Sequence, residues 1–124
     1  MEIIRTHRKL NVYRLSFQNA MKIYRLTKSF PKEETYSLTD QIRRSSRSVC
    51  SNAAEAFRRR KYPNTFVCKL NESEAEAAET QNWLDFALEC NYIDIDTHRM
   101  IDNEYENIIG MLVSMQKHPE KWAI

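Results

Sequence analysis

One glycine in 124 residues, Gly110, restricts this chain more than any other feature. Tight β-hairpins draw on glycine at positive φ, and phosphate-cradling loops need several glycines close together. Neither a P-loop nor a dinucleotide-binding fingerprint can be written with one. No segment alternates apolar and polar residues with period two over a useful length, so strands are not expected. What remains is an all-α chain, cut into segments by Pro31, Pro63 and Pro119.

Four segments carry helical periodicity, over about 11–29, 37–61, 64–90 and 97–117. In the first, Tyr13, Phe17, Ala20 and Tyr24 form an apolar face widened by Val12, Met21 and Ile23, with Asn11 as the expected N-cap. The second is expected to open at Ser37-x-x-Asp40, a variant capping box, and to bury Leu38, Ile42, Val49, Ala53 and Phe57 around the small residues Ser45 and Ser46. The third, capped by Asn64 or Thr65, buries Phe66, Leu70, Ala77, Leu84 and Ala87/Leu88, with Trp83 beside them. It ends at Asn91, a residue type that tolerates the left-handed conformation. The fourth buries Ile101, Tyr105, Ile108, Leu112 and Met115. Connections this short place consecutive helices antiparallel, which predicts one up-down-up-down four-helix bundle spanning 1–124. The ends, about 1–8 and 119–124, are expected to fray.

The net charge of +2 conceals an asymmetry. Residues 1–62 hold 15 Lys/Arg against 5 Asp/Glu, whereas residues 63–124 hold 4 against 12. A basic half and an acidic half point to partners or self-assembly rather than to chemistry. The plainer alternative is that basic and acidic helices pair within one bundle.

Catalytic signatures are missing. Cys50, Cys68 and Cys90 contain no C-x-x-C pair, and each falls in a helical pattern as a small hydrophobe. His7, His98 and His118 are scattered, with no Glu-x-x-His or H-E-x-x-H spacing, so neither a metal nor a cofactor is expected. The acidic row Glu72, Glu76, Glu79 on the third helix reads as a solvated or interface face. No serine or cysteine sits in a nucleophile elbow. A non-enzymatic protein follows. The first residues lack the apolar core of a signal peptide and no window approaches a membrane span, so a cytoplasmic location without membrane contact is expected.

The second helix carries two polar rows. Gln41, Ser45, Ser48, Asn52, Glu55 and Arg59 repeat at 4-3-4-3-4 spacing beside the apolar stripe, as a seam suited to close contact with another helix. That helix belongs to a second subunit in one reading, and the row is a solvated shoulder in the other. Arg43, Arg44, Arg47 and Arg58 lie further out, extended by Arg60 and Lys61, while the first helix adds Arg14, Lys22 and Arg25. Arginine forks match phosphate, and such a stripe is the footprint of nucleic-acid binding. The run 58–61 also complements the negative end of its own helix.

Several stretches resemble the 23S rRNA intervening-sequence protein family. They are Phe30-Pro31-Lys32-Glu33-Glu34-x-Tyr36-x-Leu38-Thr39-x-Gln41-Ile42-Arg43-Arg44-Ser45, then Ser48-Val49-x-Ser51-Asn52-x-Ala54-Glu55, and on the third helix Lys69-Leu70-x-x-Ser73-x-x-Glu76 with Glu79-Thr80-Gln81-x-Trp83-Leu84. The resemblance spans about 12–112 and implies a bacterial up-down bundle, similar to members that form ring-shaped homopentamers. Some members are encoded within 23S rRNA genes, and a distant relative is a basic, nucleic-acid-binding accessory protein of diversity-generating retroelements. It offers no catalytic residue to transfer. The pattern marks Gln41, Arg43, Arg44, Ser48, Asn52, Glu55, Glu76 and Glu79. Two positions depart from it, Ala56 and Asn91, where the family usually has glycine. The function expected is therefore an oligomeric bundle contacting RNA or DNA through its first two helices. The competing expectation is a structural or adaptor protein whose basic and acidic halves serve ring-like self-assembly or a protein partner.

Overall fold

Pro63 occupies the first turn of a helix, where its missing N–H is not needed, and Asn91 adopts φ 62° at a helix end. Such punctuation divides the computed structural model, which describes residues 3–123, into four helices: α1 (Asn11–Thr27), α2 (Leu38–Arg58), α3 (Pro63–Glu89) and α4 (Ile95–Lys117). Short 3-10 turns stand at His7–Lys9, Lys32–Glu34 and Pro119–Lys121. Each helix packs on its neighbours in sequence, α2 most extensively on α3, and α1 also meets α4. The result is an antiparallel four-helix bundle, and no strand occurs among the described residues.

The helix ends differ from expectation in their caps. Neither Ser37 nor Asn11 caps by its side chain: Ser37 precedes α2 with no such bond, and Asn11 is already the first residue of α1. The Leu38 N–H at the start of α2 donates instead to Glu34 Oε1 at 3.3 Å. Asn64 and Thr65 lie inside α3 rather than capping it. Asp94 does cap α4, accepting from the Thr97 N–H at 2.7 Å and starting the helix two residues early. At Asn91 the chain closes a paired turn, with Tyr92 N–H on the Ala87 carbonyl and Asn91 N–H on the Leu88 carbonyl, each at 2.9 Å. Tyr92 then stacks near Phe30, ring centroids 5.3 Å apart, and donates to Glu34 Oε2 at 2.8 Å. Glu34 thereby ties the α1–α2 connection to the α3–α4 turn. Its bond and charge, with some burial, push the Tyr92 phenol up to about 12.

The expected stripes of α2 and α4 are buried throughout, as is that of α3 apart from the half-buried Leu88. The face of α1 is rotated. Val12, Ser16, Asn19, Ile23 and Thr27 point inward, Tyr13 and Tyr24 sit at the rim, and Phe17 is 49% exposed. Ser16 and Asn19 satisfy donors on their own helix, Ser16 Oγ to the Tyr13 carbonyl and Asn19 Nδ2 to the Leu15 carbonyl. Small polar residues can thus face the core and leave bulkier aromatics outside. Of the cysteines, Cys50 is buried, whereas Cys68 and Cys90 are exposed rather than packed. Within the end segments expected to fray, Ile4 and Trp122 pack against the core. For Met1, Glu2 and Ile124 that expectation lies outside the described residues.

Candidate nucleic-acid interface and polar seam

The α1–α2 pair presents the basic surface, and its cations are not equivalent. Arg14, Arg25, Arg47 and Arg58 are exposed and have no ion-pair partner among the described residues. Arg44 reaches Asp40 one turn earlier at 3.6 Å, with its side chain still largely in solvent. Lys22 Nζ lies 3.9 Å from Glu104 of α4. Lys61 stands over the Tyr62 ring.

Two arginines expected on the outer face are engaged in packing instead. Arg43 turns toward α1, its Nε donating to Thr27 Oγ1 at 2.8 Å and its guanidinium lying over the Tyr24 ring at 4.9 Å. Arg60 stands over Phe57, its guanidinium carbon 3.7 Å from the ring centroid, and its Nη1 is shielded from solvent without a partner among the described residues. Burial, then Arg58, lowers the pKa of Arg60 from the ordinary guanidinium value. The physical reason is shared: a guanidinium face stacks on an aromatic ring, and both rings stand within reach of α2. Lys28 and Arg47 also approach Tyr24, at 4.9 and 5.8 Å, so that ring is the centre of a three-cation cluster. Sequence reasoning assigned Tyr24 to the core and missed this cluster. A groove of about 330 Å³ between α1 and α2, lined by Tyr13, Phe17, Met21 and Arg47 among others, was missed for the same reason.

The seam on α2 runs beside α3 of the same chain. The Thr80 hydroxyl donates to Ser45 Oγ at 2.8 Å, Ser73 Oγ donates to the Val49 carbonyl at 2.7 Å, and Lys69 Nζ lies 3.1 Å from Glu55. Asn52 Nδ2 donates to the Ser48 carbonyl and to Ser48 Oγ, both at 3.0 Å. Gln41, Arg44, Ser48, Glu76 and Glu79 border an open polar groove of about 540 Å³ over the α2–α3 boundary. Arg59 is exposed beyond the end of α2. Burial first, and then Glu79 and Glu72, raise the Glu76 carboxyl above its usual range. Residues that looked like a subunit contact therefore serve the α2–α3 boundary in part, with Gln41 and Ser48 left at the open edge.

Among the described residues one group has ligand atoms close enough for a metal ion: Asp85 on α3 with His98 and Asp102 on α4, all within 4.8 Å. The scattered histidines did not reveal it, because Asp85 is distant in sequence. His98 Nε2 and Asp85 Oδ1 already pair at 2.8 Å. No described helix is long and apolar enough to cross a membrane.

Residues 8–114 match the family described as 23S rRNA-intervening sequence protein. A crystal structure of a protein with unknown function, from the S23 ribosomal protein family of Bacteroides thetaiotaomicron, is similar at a TM-score of 0.77 and 31% identity, covering 86% of this chain and 95% of that one. No curated protein matches significantly. Neither relationship indicates an enzymatic family. The match over most of the chain and the shared fold together place this protein in the 23S rRNA-intervening sequence protein family.

Proposed function

We propose that this protein is a non-enzymatic bundle that contacts RNA or DNA through the exposed cations of α1 and α2. The observation that carries this reading is the unspent charge asymmetry. Of the ion pairs among the described residues, only Lys22–Glu104 joins a base of α1–α2 to an acid of α3–α4, and at 3.9 Å it is a weak, half-exposed one. Arg14, Arg25, Arg47 and Arg58 are left to solvent with no acidic partner among the described residues, Arg47 on the same groove that Glu76 and Glu79 border. Arginine forks suited to phosphate and a neighbouring aromatic, Phe17, are the ingredients of backbone contact with adjacent base stacking.

Binding of a fluorescent structured RNA across a salt series tests it. Affinity falls steeply with salt if phosphates are contacted, with a logarithmic slope of roughly 0.7–0.9 per contact. An Arg14/Arg47/Arg58 triple alanine variant shows a smaller slope and weaker binding. Unchanged affinity in that variant removes the site, and absence of binding at low salt removes the function.

A second reading is favoured by Glu76. It shares its surroundings with Glu72 and Glu79, and neither it nor Glu79 has a cation partner among the described residues. In this reading the acidic face of one copy meets the basic face of the next, a heterologous contact that can close a ring. Light scattering at low and high salt separates the two: a monomer under both conditions ends the second reading and leaves the first untouched.

A further inference from the structure

The nucleic-acid reading leaves unused the end of the bundle where the N-terminal segment, the end of α2 and the end of α4 meet. Two adjoining clefts open there, of about 700 and 450 Å³. They share Ile4, Ser114, Met115 and Trp122 and so form one continuous apolar surface. Volumes of this order are those of small-molecule sites, which are mostly apolar with a few placed polar groups.

The placed groups here are cationic. Arg60, His118 and Lys121 line the larger cleft, and no carboxylate is among its lining residues within the described part of the chain. His118 Nδ1 is occupied by Glu120 at 3.4 Å. Arg60 Nη1 is shielded from solvent, so an anion in the cleft would meet the remaining nitrogens of this half-buried guanidinium, which has no acidic partner among the described residues. The guanidinium carbon of Arg60 stands 3.7 Å from the centre of the Phe57 ring, and both residues line the cleft. Gly110, an exposed residue where an added Cβ would meet nothing within 4 Å, is among the residues that line the smaller cleft.

We propose that this end cleft binds an alkyl carboxylate, with the carboxylate on Arg60 and Lys121 and the hydrocarbon tail along Ile4, Met115 and Trp122. An alcohol of equal length leaves Arg60 unpartnered. A short carboxylate leaves the apolar wall in water. Both halves of the ligand are therefore required, and neither depends on the nucleic-acid reading, which uses the exposed cations of α1 and α2.

The test is a fluorescence titration of the full chain carrying Trp83→Phe, which leaves Trp122 as the sole tryptophan. Decanoate, kept below its micelle-forming concentration, produces a saturable change in Trp122 emission. Decanol binds at least tenfold more weakly, and acetate does not displace decanoate at equal concentration. Arg60→Gln weakens decanoate about tenfold and leaves decanol unchanged. Lys121→Gln, on an exposed residue, is read in the same way should circular dichroism show that Arg60→Gln fails to fold. A response that never saturates overturns the site. Decanol binding as tightly as decanoate, or equal weakening of both by the substitution, overturns the head-group assignment. Effective competition by acetate overturns the tail.

Discussion

The Thr80 hydroxyl donates to the hydroxyl of Ser45 at 2.8 Å, with both residues buried between α3 and α2. Ser45 donates in turn to the Ile42 carbonyl at 3.3 Å, so the two helices with the most extensive contact are joined by a short polar chain inside the core. Each hydroxyl also has an acceptor on its own helix, the Glu76 carbonyl at 2.9 Å for Thr80 and the Ile42 carbonyl for Ser45, so the bond across the boundary adds to local ones. Thr80→Val and Ser45→Ala are each expected to cost about 1 kcal/mol, and the double variant less than the sum. Urea unfolding of the four proteins measures the coupling; strict additivity means the bond contributes nothing beyond its parts.

Arg43 and Arg47 are one turn apart, near the same tyrosine, and are expected to behave oppositely. Arg43→Ala removes the bond to Thr27 and the closer stacking on Tyr24, and lowers stability by about 1–2 kcal/mol. Arg47→Ala stays within about 0.5 kcal/mol, as surface changes usually do, and weakens RNA binding instead. Thermal unfolding and RNA titration on the same two variants separate the roles.

Tyr105 is fully buried on α4, and its hydroxyl has no partner among the described residues. Burial first, then the neighbouring Cys50 thiol, raises its pKa well above the ordinary 10.0. An acid whose pKa is higher folded than unfolded keeps its contribution below the unfolded value and loses it as pH rises further, because the unfolded chain ionises first. Stability is therefore expected to fall as pH climbs past about 10 and to fall less steeply in Tyr105→Phe. The same substitution is expected to be neutral or stabilising by about 1 kcal/mol at pH 7, since it removes an unsatisfied polar group without opening a cavity. Denaturant midpoints from pH 7 to 11 check both statements.

Gly110 lies in the interior of α4, with negative φ and free space where a Cβ would stand. Gly110→Ala is expected to stabilise by about 0.5–1 kcal/mol through the backbone entropy of the unfolded chain. That corresponds to roughly 2–5 °C in melting temperature, readable by calorimetry. A loss of stability would mean that an unseen contact approaches this face.

The glycine count, the prolines and the period of the apolar residues were enough to read four antiparallel helices and most of their buried positions. Burial of Leu38, Ile42, Phe66 or Ile108 follows from spacing alone, because a helix must turn an apolar stripe toward something. Asn91 was legible for the same local reason: few residues other than glycine accept the left-handed conformation. What spacing could not decide was which way α1 turned, or which guanidinium went where. The aromatic row of α1 is the more apolar, yet Ser16 and Asn19 face the core, where their donors bond to the helix backbone while Asn19 Oδ1 is left without a partner among the described residues. Arg43 and Arg47 are indistinguishable as letters. Only the packing of α2 on α1 sets one against Tyr24 and Thr27 and leaves the other to solvent. The chemistry of this surface is thus local in sequence, and its availability to a partner is a property of the tertiary contacts that some of its charges have already made.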